Sequence, residues 1–259
     1  MGGAVAGADC DPTLACLNPS TAFGAAASSL TLGGQRGYIG DVSWHALGVF
    51  PVSSGGSLVA GGAWYDAGSV TLRPSGAPPR TVSAQRDLMG LVGAAAGVNG
   101  IRIGFSAKLM NSTLLDEFTS NAVAYDAGIE AGLWGGLSAG VLLQNMGGGI
   151  RFEKEDVPLA STLRAGFSGV WPDGGDRLAV FGDMVRDLER RKNGWGGGVE
   201  YRWSGTLSFR VGGGERPEGS GIGLTFGMGF EGGSFRLDYA SRLEVSEAPP
   251  QILALTFIL

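Results

Sequence analysis

Large apolar residues alternate with small or polar residues along much of this chain. Between positions 222 and 230 three glycines and one threonine alternate with five large apolar side chains, which are Ile222, Leu224, Phe226, Met228 and Phe230. A period of two places successive side chains on opposite faces of a β-strand. One face of this strand is therefore apolar, and the other is nearly bare of side chains.

The same alternation recurs between turn-forming residues and predicts about fourteen strands. Their predicted bounds are 28–34, 38–50, 56–72, 86–98, 100–113, 120–134, 136–147, 160–171, 176–187, 194–203, 205–213, 220–231, 233–244 and 250–259. Many of them are about twice as long as the roughly five or six residues usual in globular proteins. A strand that crosses a membrane in a barrel needs about 9 to 11 residues. We therefore predict an all-β fold, a transmembrane antiparallel up-and-down β-barrel over residues 28–259.

The connections between the predicted strands differ in length. Those after even-numbered strands are short and lie at 51–55, Asn99, Gly135, 172–175, Ser204 and Gly232. Those after odd-numbered strands are longer and carry most of the charge runs, at 73–85, 114–119, 148–159, 188–193 and 245–249. Outer-membrane barrels have short turns at one rim and long loops at the other. The asymmetry therefore predicts a periplasmic rim of short turns and an outer rim of charged loops.

Aromatic residues lie beside the short turns. The residues in question are Phe50, Trp134, Trp171, Trp203 and Phe230. Aromatic rings with a polar edge gather where lipid tails meet head groups. We expect these five residues to form an aromatic belt at the periplasmic rim.

The predicted inward positions carry charges of both signs. They are Arg102, Lys108, Asp126, Glu130, Arg164, Glu200, Arg202, Arg210, Arg236 and Asp238. Two interpretations stay open. The charges form a network of ion pairs that satisfies buried groups in the lumen, or they line a solute pathway or selectivity filter. Inward glycines would let other side chains or a plug approach the wall closely.

Residues 1–27 follow a different pattern. Asp11 can cap a short helix that starts at Pro12, and Asn18 with Pro19 can start a second one. Both turns are small and apolar. The segment is therefore predicted as two short helical turns that precede the barrel.

Composition agrees with a membrane barrel. The chain of 259 residues holds 48 glycines, and only 17% of its residues are charged, against about 25% in soluble domains. The sequence has no run of about 20 apolar residues, so no transmembrane helix is predicted. The net charge of −5 and the lack of a basic tract argue against nucleic acid as a partner. The start of the chain lacks a signal peptide pattern, which indicates a mature or trimmed chain or a cytoplasmic one.

Candidate chemistry is sparse. Cys10 and Cys16 are the only cysteines and His45 is the only histidine, too few for a zinc site, and no cofactor is predicted. A Cys10–Cys16 disulfide would require that the two do not share one unbroken helix. His45 lies in mid-strand and is interpreted as a wall residue rather than a catalytic base, so we predict no enzymatic activity. A soluble glycine-rich β-sandwich is the rival fold, and it would expose more Lys and Glu.

Several motifs resemble one family. They are, in order, MGGA at 1–4, ADCDPTLACLNPS at 8–20, GFSAKL at 104–109, QNMG at 144–147, LRAG at 163–166, GVEY at 198–201, FRVG at 209–212 and LDYA at 237–240. This series is similar to that of PorV/PorQ-type outer-membrane barrels, which are relatives of FadL-like barrels. The chain departs from the family in lacking a segment before MGGA and in ending on Leu259 rather than on an aromatic residue.

The resemblance implies a bacterial outer-membrane barrel of fourteen strands with an N-terminal plug, residues 1–27, folded into the lumen. Plug residues would be Asp11, Leu14, Leu17, Asn18 and Phe23. PorV-type members imply a scaffold for exported or surface-attached proteins, as in type IX secretion, with a protein partner at the long-loop rim. FadL-like members imply the alternative, which is passive transport of hydrophobic small molecules, with an apolar pocket near the plug. Lipid is the expected partner in both cases.

Overall fold

The computed structural model describes residues 12–37, 40–53, 55–76, 78–152, 155–173, 175–219, 221–243 and 249–259. Two 3-10 helices come first, η1 at Pro12–Leu14 and η2 at Pro19–Ala22. Fourteen strands then form the barrel: β1 Ser29–Arg36, β2 Val42–Ser53, β3 Gly56–Asp66, β6 Gln85–Val98, β7 Ile101–Leu114, β8 Phe118–Gly132, β9 Leu137–Gly147, β12 Thr162–Asp173, β13 Asp176–Asp187, β14 Asn193–Trp203, β15 Leu207–Glu215, β16 Ile222–Gly232, β17 Phe235–Leu243 and β18 Gln251–Ile258. Two hairpins lie outside it: β4 Ser69–Leu72 with β5 Arg80–Ser83, and β10 Ile150–Phe152 with β11 Glu155–Val157.

The barrel closes between its first and last strands. β1 pairs with β2 on one side and with β18 on the other, and every neighbouring pair is antiparallel. At this seam the Thr31 and Thr256 hydroxyls form a hydrogen bond of 2.9 Å. Closure leaves no unpaired strand edge, which a sheet in hydrocarbon requires. The predicted fourteen-stranded antiparallel barrel is confirmed.

The prediction of one long strand over 56–72 is wrong. The strand ends at Asp66 because the chain turns there: the Asp66 carboxylate accepts a hydrogen bond of 2.7 Å from the Gly68 N–H, and Gly68 has a φ of +84°. A carboxylate that caps the next backbone amides is a common turn device. Residues 69–72 then form one strand of the β4–β5 hairpin, which stands in a loop of the long-loop rim.

The outer surface of the barrel is apolar. On β16 the side chains of Ile222, Leu224 and Met228 are 59%, 58% and 55% exposed, whereas the glycines between them are buried. The other barrel strands repeat this alternation, and their exposed positions hold leucine, isoleucine, valine and phenylalanine. So much exposed apolar surface suits a lipid environment rather than water. The chain is therefore a transmembrane β-barrel.

Tryptophans mark both ends of this apolar surface. All six tryptophans of the chain are exposed. Trp134, Trp171 and Trp203 lie at the short-turn rim, with Phe50 and Phe230 beside them. The other three, Trp44, Trp64 and Trp195, lie near the opposite ends of their strands, toward the long-loop rim. The aromatics therefore form two belts, at the two lipid–water boundaries, and not one.

The helices of the described residues are the two short 3-10 helices, and neither is long and apolar enough to cross a membrane.

Candidate functional site

An N-terminal segment, residues 12–27, lies inside the barrel and is here called the lumenal segment. Its residues Asn18, Ser20, Thr21 and Ala22 are 0% exposed. Helix η2 contacts β3, β6, β7 and β8, and it does so at their inward positions. Asn18 caps η2, because its side-chain oxygen accepts hydrogen bonds from the Ser20 backbone N–H at 3.2 Å and from the Ser20 hydroxyl at 2.8 Å.

Two inward glycines allow the lumenal segment to approach the wall this closely. A Cβ added to Gly104 would overlap the backbone of Pro19 and Ser20, and a Cβ added to Gly128 would overlap the Asn18 side chain. Any larger residue at these positions would push the segment away from β7 and β8. The close approach explains why strands with apolar outer faces carry glycine on the inner face at this height.

A β-bulge fixes a second contact with the lumenal segment. Between β8 and β9 the register shifts near Asp126, and Asn145 adopts a φ of +55°. The Asn145 N–H donates to the Asp126 carboxylate at 2.8 Å. Its neighbour Gln144 donates from Nε2 to the Leu17 carbonyl oxygen at 2.9 Å and accepts at Oε1 from Arg164 Nε at 3.0 Å. The bulge thus aims a buried amide at the lumenal segment.

An apolar cluster lies between the lumenal segment and one side of the barrel, here called the apolar sector. It consists of the inward side chains of β2, β3 and β6, which are Leu47, Val49, Val59, Leu91 and Ala95. Ala15 and Ala22 of the lumenal segment are buried against them, and Cys16, Phe23 and Ala25 pack at the edge. The lumenal segment therefore covers an apolar part of the inward wall on β2, β3 and β6.

The residues predicted for the plug take different places. Leu14 packs on Ala179 and Phe181 of β13, and the Phe23 ring lies over Gly97 of β6. Asn18 is fully buried, whereas Leu17 is 42% exposed toward an inner cavity. Asp11 lies outside the described residues, and so does Cys10, the predicted disulfide partner of Cys16.

Two buried ion pairs lie on β7 and β8, beside the lumenal segment. Arg102 contacts Glu130 at 2.7 Å, and Lys108 contacts Asp126 at 2.6 Å. The Asp126 carboxylate also accepts from the Ser106 hydroxyl at 3.0 Å. All four charged side chains are 10% exposed or less. Buried pairs of this kind tolerate the loss of one partner poorly, because the remaining charge stays out of water.

A larger set of charges lines the inward faces of β13–β17, here called the charged sector. Glu200 accepts from Arg210 at 2.6 Å and from Arg177 at 3.2 Å. Arg210 reaches Asp238 at 2.6 Å, and Arg236 contacts the same carboxylate at 2.7 Å. Arg202 pairs with Glu231 at 3.1 Å. These residues lie near the short-turn ends of their strands.

Glycines form the wall beneath these long side chains. A Cβ added to Gly229 would meet Asp238 and Arg210, and one added to Gly223 would overlap the Arg242 guanidinium. The arginines therefore lie flat against the wall instead of pointing to the barrel axis. This is the role of the glycine face that the sequence pattern of β16 presents.

Arg164 belongs to a third group. It contacts Asp183 at 3.6 Å in addition to Gln144. Both line a cavity of about 250 Å³ on the long-loop side of Leu17, which Arg242 also borders. The ten predicted lumenal residues thus fall into three separate groups: Arg102, Lys108, Asp126 and Glu130; Glu200, Arg202, Arg210, Arg236 and Asp238; and Arg164 alone with Asp183.

Sequence reasoning missed several lumenal residues. Four further charged residues also face the lumen: Arg177 and Asp183 on β13, Glu231 on β16 and Arg242 on β17. On β13 the signal is weak, because the inward positions Phe181 and Val185 are apolar like the outward ones. On β16 and β17, Glu231 and Arg242 occupy the same alternate positions as Gly229 and Asp238. The period of two could therefore have identified them as inward residues. The Gln144 contact depends on the bulge and has no such signal.

His45 faces the lumen, where its ring occupies the space beside Gly33.

Burial raises the pKa of the Cys16 thiol above its usual value, and Cys16 Sγ lies 3.9 Å from the Thr13 carbonyl oxygen. Within the described part of the chain, no cluster of histidine, cysteine and acidic residues is arranged to hold a metal ion.

The outer surface carries a recess of about 870 Å³ near the seam of the barrel. Small outward residues form its floor, Gly34, Ala46 and Gly62, and larger ones such as Trp44 and Leu253 form its sides. The recess faces the bilayer, so lipid chains contact it.

The long-loop rim is ordered by charges and hairpins. Arg80 of β5 pairs with Glu117 at 3.2 Å, and Arg86 pairs with Asp116 at 3.3 Å. The β10 strand is held against β8, because the Ser120 hydroxyl accepts from the Arg151 N–H at 3.0 Å. Two of the predicted long loops are therefore structured hairpins.

No protein-family model matches the chain, and no curated protein matches its sequence. Solved structures share its fold. The CymD monoaromatic hydrocarbon channel aligns with a TM-score of 0.73 at 14% identity, over 100% of this chain and 96% of that one. The Ralstonia pickettii toluene transporter TbuX gives 0.69 at 13% identity, over 100% and 96%. A Pseudomonas aeruginosa FadL homologue gives 0.60 at 10% identity, over 98% and 95%.

These likenesses cover nearly the whole length of both partners, and at such identities they establish the fold. The Acinetobacter baumannii outer membrane protein Omp33 shares this fold as well, with a TM-score of 0.57 at 9% identity over 90% of this chain and 98% of that one. Together with the apolar exterior and the two aromatic belts, the shared fold places the protein in the outer membrane.

Proposed function

We propose that this protein is a passive channel for hydrophobic small molecules across the outer membrane. The observation that carries the proposal is the apolar sector inside the barrel, which the lumenal segment covers. Leu47, Val49, Val59 and Leu91 are less than 5% exposed, and the lumenal segment covers them. A lumen that passes only hydrated solutes has no need of an apolar wall.

The transport step follows from this geometry. If residues 12–27 shift, the apolar sector is uncovered and offers a continuous nonpolar surface along β2, β3 and β6. A hydrophobic solute gains about 25 cal/mol for each Å² of apolar surface removed from water, so the surface favours its entry. The shared fold with channels named for toluene and monoaromatic hydrocarbons agrees with this class of solute.

The test uses vesicles with an outer leaflet of lipopolysaccharide, because plain phospholipid bilayers let hydrocarbons pass unaided. Uptake of labelled toluene and of a labelled fatty acid is measured for the wild type and for Leu47→Asn/Leu91→Asn. Asparagine keeps the fork of two atoms on Cγ that leucine has, but makes the apolar sector polar. We expect the double variant to lose most of the protein-dependent uptake.

The matched control is Thr225→Asn/Ala240→Asn, which changes two inward residues of β16 and β17 away from the apolar sector. It should retain uptake. The proposal is wrong if the wild type transports neither compound faster than protein-free vesicles, or if both double variants reduce uptake equally. A heat-modifiable shift on gels verifies that each variant is folded.

A second candidate role is that of a PorV-like partner for exported or surface-attached proteins. The observation in its favour is the ordered long-loop rim with the β4–β5 and β10–β11 hairpins. Crosslinking from Arg80 or Val70 in native membranes, followed by mass spectrometry, would detect such a partner. A single stoichiometric partner that is lost when the β4–β5 hairpin is shortened would support this role.

We also propose that the protein has no enzymatic activity. His45 is the only histidine, and its ring packs in the wall beside Gly33. A general base needs a position within hydrogen-bond reach of a reacting group. Transport by a His45→Gln variant at the wild-type rate would agree with a wall role for this residue.

A further inference from the structure

The two sides of the lumen differ in their access to water. On β7 and β8 the inward residues from Arg102 to Lys108 and from Ser120 to Glu130 are buried, because the lumenal segment and the ion pairs cover them. On β14–β17 the inward residues at mid-height are Gly198, Gly212, Thr225 and Ala240, and each of them is partly exposed. The lumenal segment therefore fills one side of the barrel and leaves this side accessible to water.

These mid-height residues form a neutral waist. Gly198 lies opposite Gly212, and Gly212 lies opposite Thr225 on the next strand. On β17, Arg242 lies opposite Thr225, and Ala240 lies one inward position closer to the short-turn rim, opposite Gly227. All four are small and uncharged, so the wall leaves room for water at this height.

Charged groups lie above and below the waist. Toward the short-turn rim are Arg177, Arg202, Arg210 and Arg236 with their carboxylates, and toward the long-loop rim are Arg164 and Arg242. Six arginines therefore face this space, together with the carboxylates Asp183, Asp187, Glu200, Glu231 and Asp238. Asp187 pairs with Arg190 at the rim, at 3.7 Å. The space thus carries an excess of positive charge, although the whole chain has a net charge of −5.

We propose that the charged sector is a permanent water-filled passage for small anions, separate from the hydrophobic path and open while the lumenal segment is in place. Rings of arginine in a pore favour anions because they replace part of the hydration lost on entry. The carboxylates keep the arginines flat against the glycine wall, so they shape the passage without blocking it. Chloride and small carboxylates are the expected solutes.

Conductance in planar lipid bilayers tests the passage directly. The full chain is reconstituted in KCl, and we expect discrete conductance steps whose reversal potential under a salt gradient has the sign of chloride preference. Gly212→Trp places a large ring at the waist and should reduce the conductance at least severalfold. Val211→Trp is the matched control, since Val211 is 60% exposed on the outer surface of the same strand, and it should conduct like the wild type.

The ion selectivity of the conductance is a second measurement, and a change in folding alone would not alter it. Thr225→Glu adds a negative charge at the waist and should shift the reversal potential toward cation preference, whereas Thr225→Gln should leave it unchanged. The inference is overturned if the wild type shows no conductance above the bare bilayer, if it prefers cations, or if Gly212→Trp conducts as well as Val211→Trp. Hydrocarbon uptake by Gly212→Trp should remain at the wild-type level, so a failure here is distinguishable from a failure of the proposed transport function.

Discussion

The absence of side chains at two inward positions decides how the lumen is filled. Gly104 and Gly128 leave space that the Pro19–Ser20 backbone and the Asn18 side chain occupy. The Asn18 side-chain oxygen accepts hydrogen bonds from the Ser20 backbone N–H and hydroxyl within its own turn. Seating of the lumenal segment therefore depends on these small wall residues, in addition to the Gln144–Leu17 hydrogen bond.

Gly104→Val should displace the lumenal segment, because the new side chain overlaps the Pro19–Ser20 backbone. Overpacking of this kind costs about 1–3 kcal/mol, which corresponds to a roughly 5- to 150-fold increase in the displaced state. Cys16 reports the change in a Cys10→Ser background. Cys16 is partly buried and its thiol has a raised pKa, and the thiolate is the form that reacts. We expect maleimide to label Cys16 faster in the variant by about the same factor.

Gly90→Val is the control for that measurement. Gly90 faces outward on β6, and a Cβ there would meet no atom within 4 Å. Its labelling rate should equal that of the unmodified protein. Equal rates in all three proteins would contradict the assigned packing of the lumenal segment.

Each barrel strand contacts two different environments. On β15 the outward residues Phe209 and Val211 are 48% and 60% exposed to lipid, while Arg210 between them lies in the lumen and reaches Glu200 and Asp238. The register of a strand decides which of its side chains can carry a charge, because a slip by one residue would exchange the two faces. The same local sequence therefore specifies both the membrane surface and the lumen.

Val211→Arg should destabilise the barrel through its lipid face. Val211 lies in the middle of β15, and an arginine at the bilayer midplane costs about 2–4 kcal/mol. Ile222→Arg, at the long-loop end of β16, lies near the interface and should cost only about 0–1 kcal/mol. Reversible urea titration in lipid vesicles measures both. Equal losses at the two positions would contradict the placement of the bilayer.

At the scale of the whole molecule, stability depends on closure between β1 and β18. Eight residue pairs join these strands, from Ser29 with Ile258 to Arg36 with Gln251. Without these pairs both β1 and β18 would expose unpaired backbone groups to hydrocarbon, at a cost of several kcal/mol for each group. The loops of the long-loop rim carry no such requirement.

Deleting residues 251–259 should therefore abolish membrane insertion. Loss of β18 opens the sheet, so the protein should lose its heat-modifiable mobility and its protease resistance in vesicles. The control replaces residues 70–82 by Asn-Gly, which joins the paired residues Ser69 and Ser83 through a two-residue hairpin turn. This variant should insert normally. Failure of both variants would show that the β4–β5 hairpin is needed for assembly as well.

Most barrel strands could be predicted because the bilayer imposes a strict period of two on them. The third strand was extended too far, since the turn at Asp66 and Gly68 depends on a side-chain contact that periodicity does not record. The belt of aromatics at the short turns was expected, but the matching belt of Trp44, Trp64 and Trp195 was not. Strand ends must be known before either belt can be recognised, and those ends are the least certain part of a sequence prediction.

The sequence by itself determined the fold class, the faces of the strands and the asymmetry of the rims. These properties are local, because each side chain must match lipid or lumen at its own position. Only the tertiary structure decided that Arg102 meets Glu130 whereas Arg164 meets Asp183 and Gln144, and that the lumenal segment fills one side and leaves the charged sector accessible. Such contacts join residues far apart in the chain. They depend on the register of the whole sheet and on the bulge near Asp126, which the alternation of single strands does not encode.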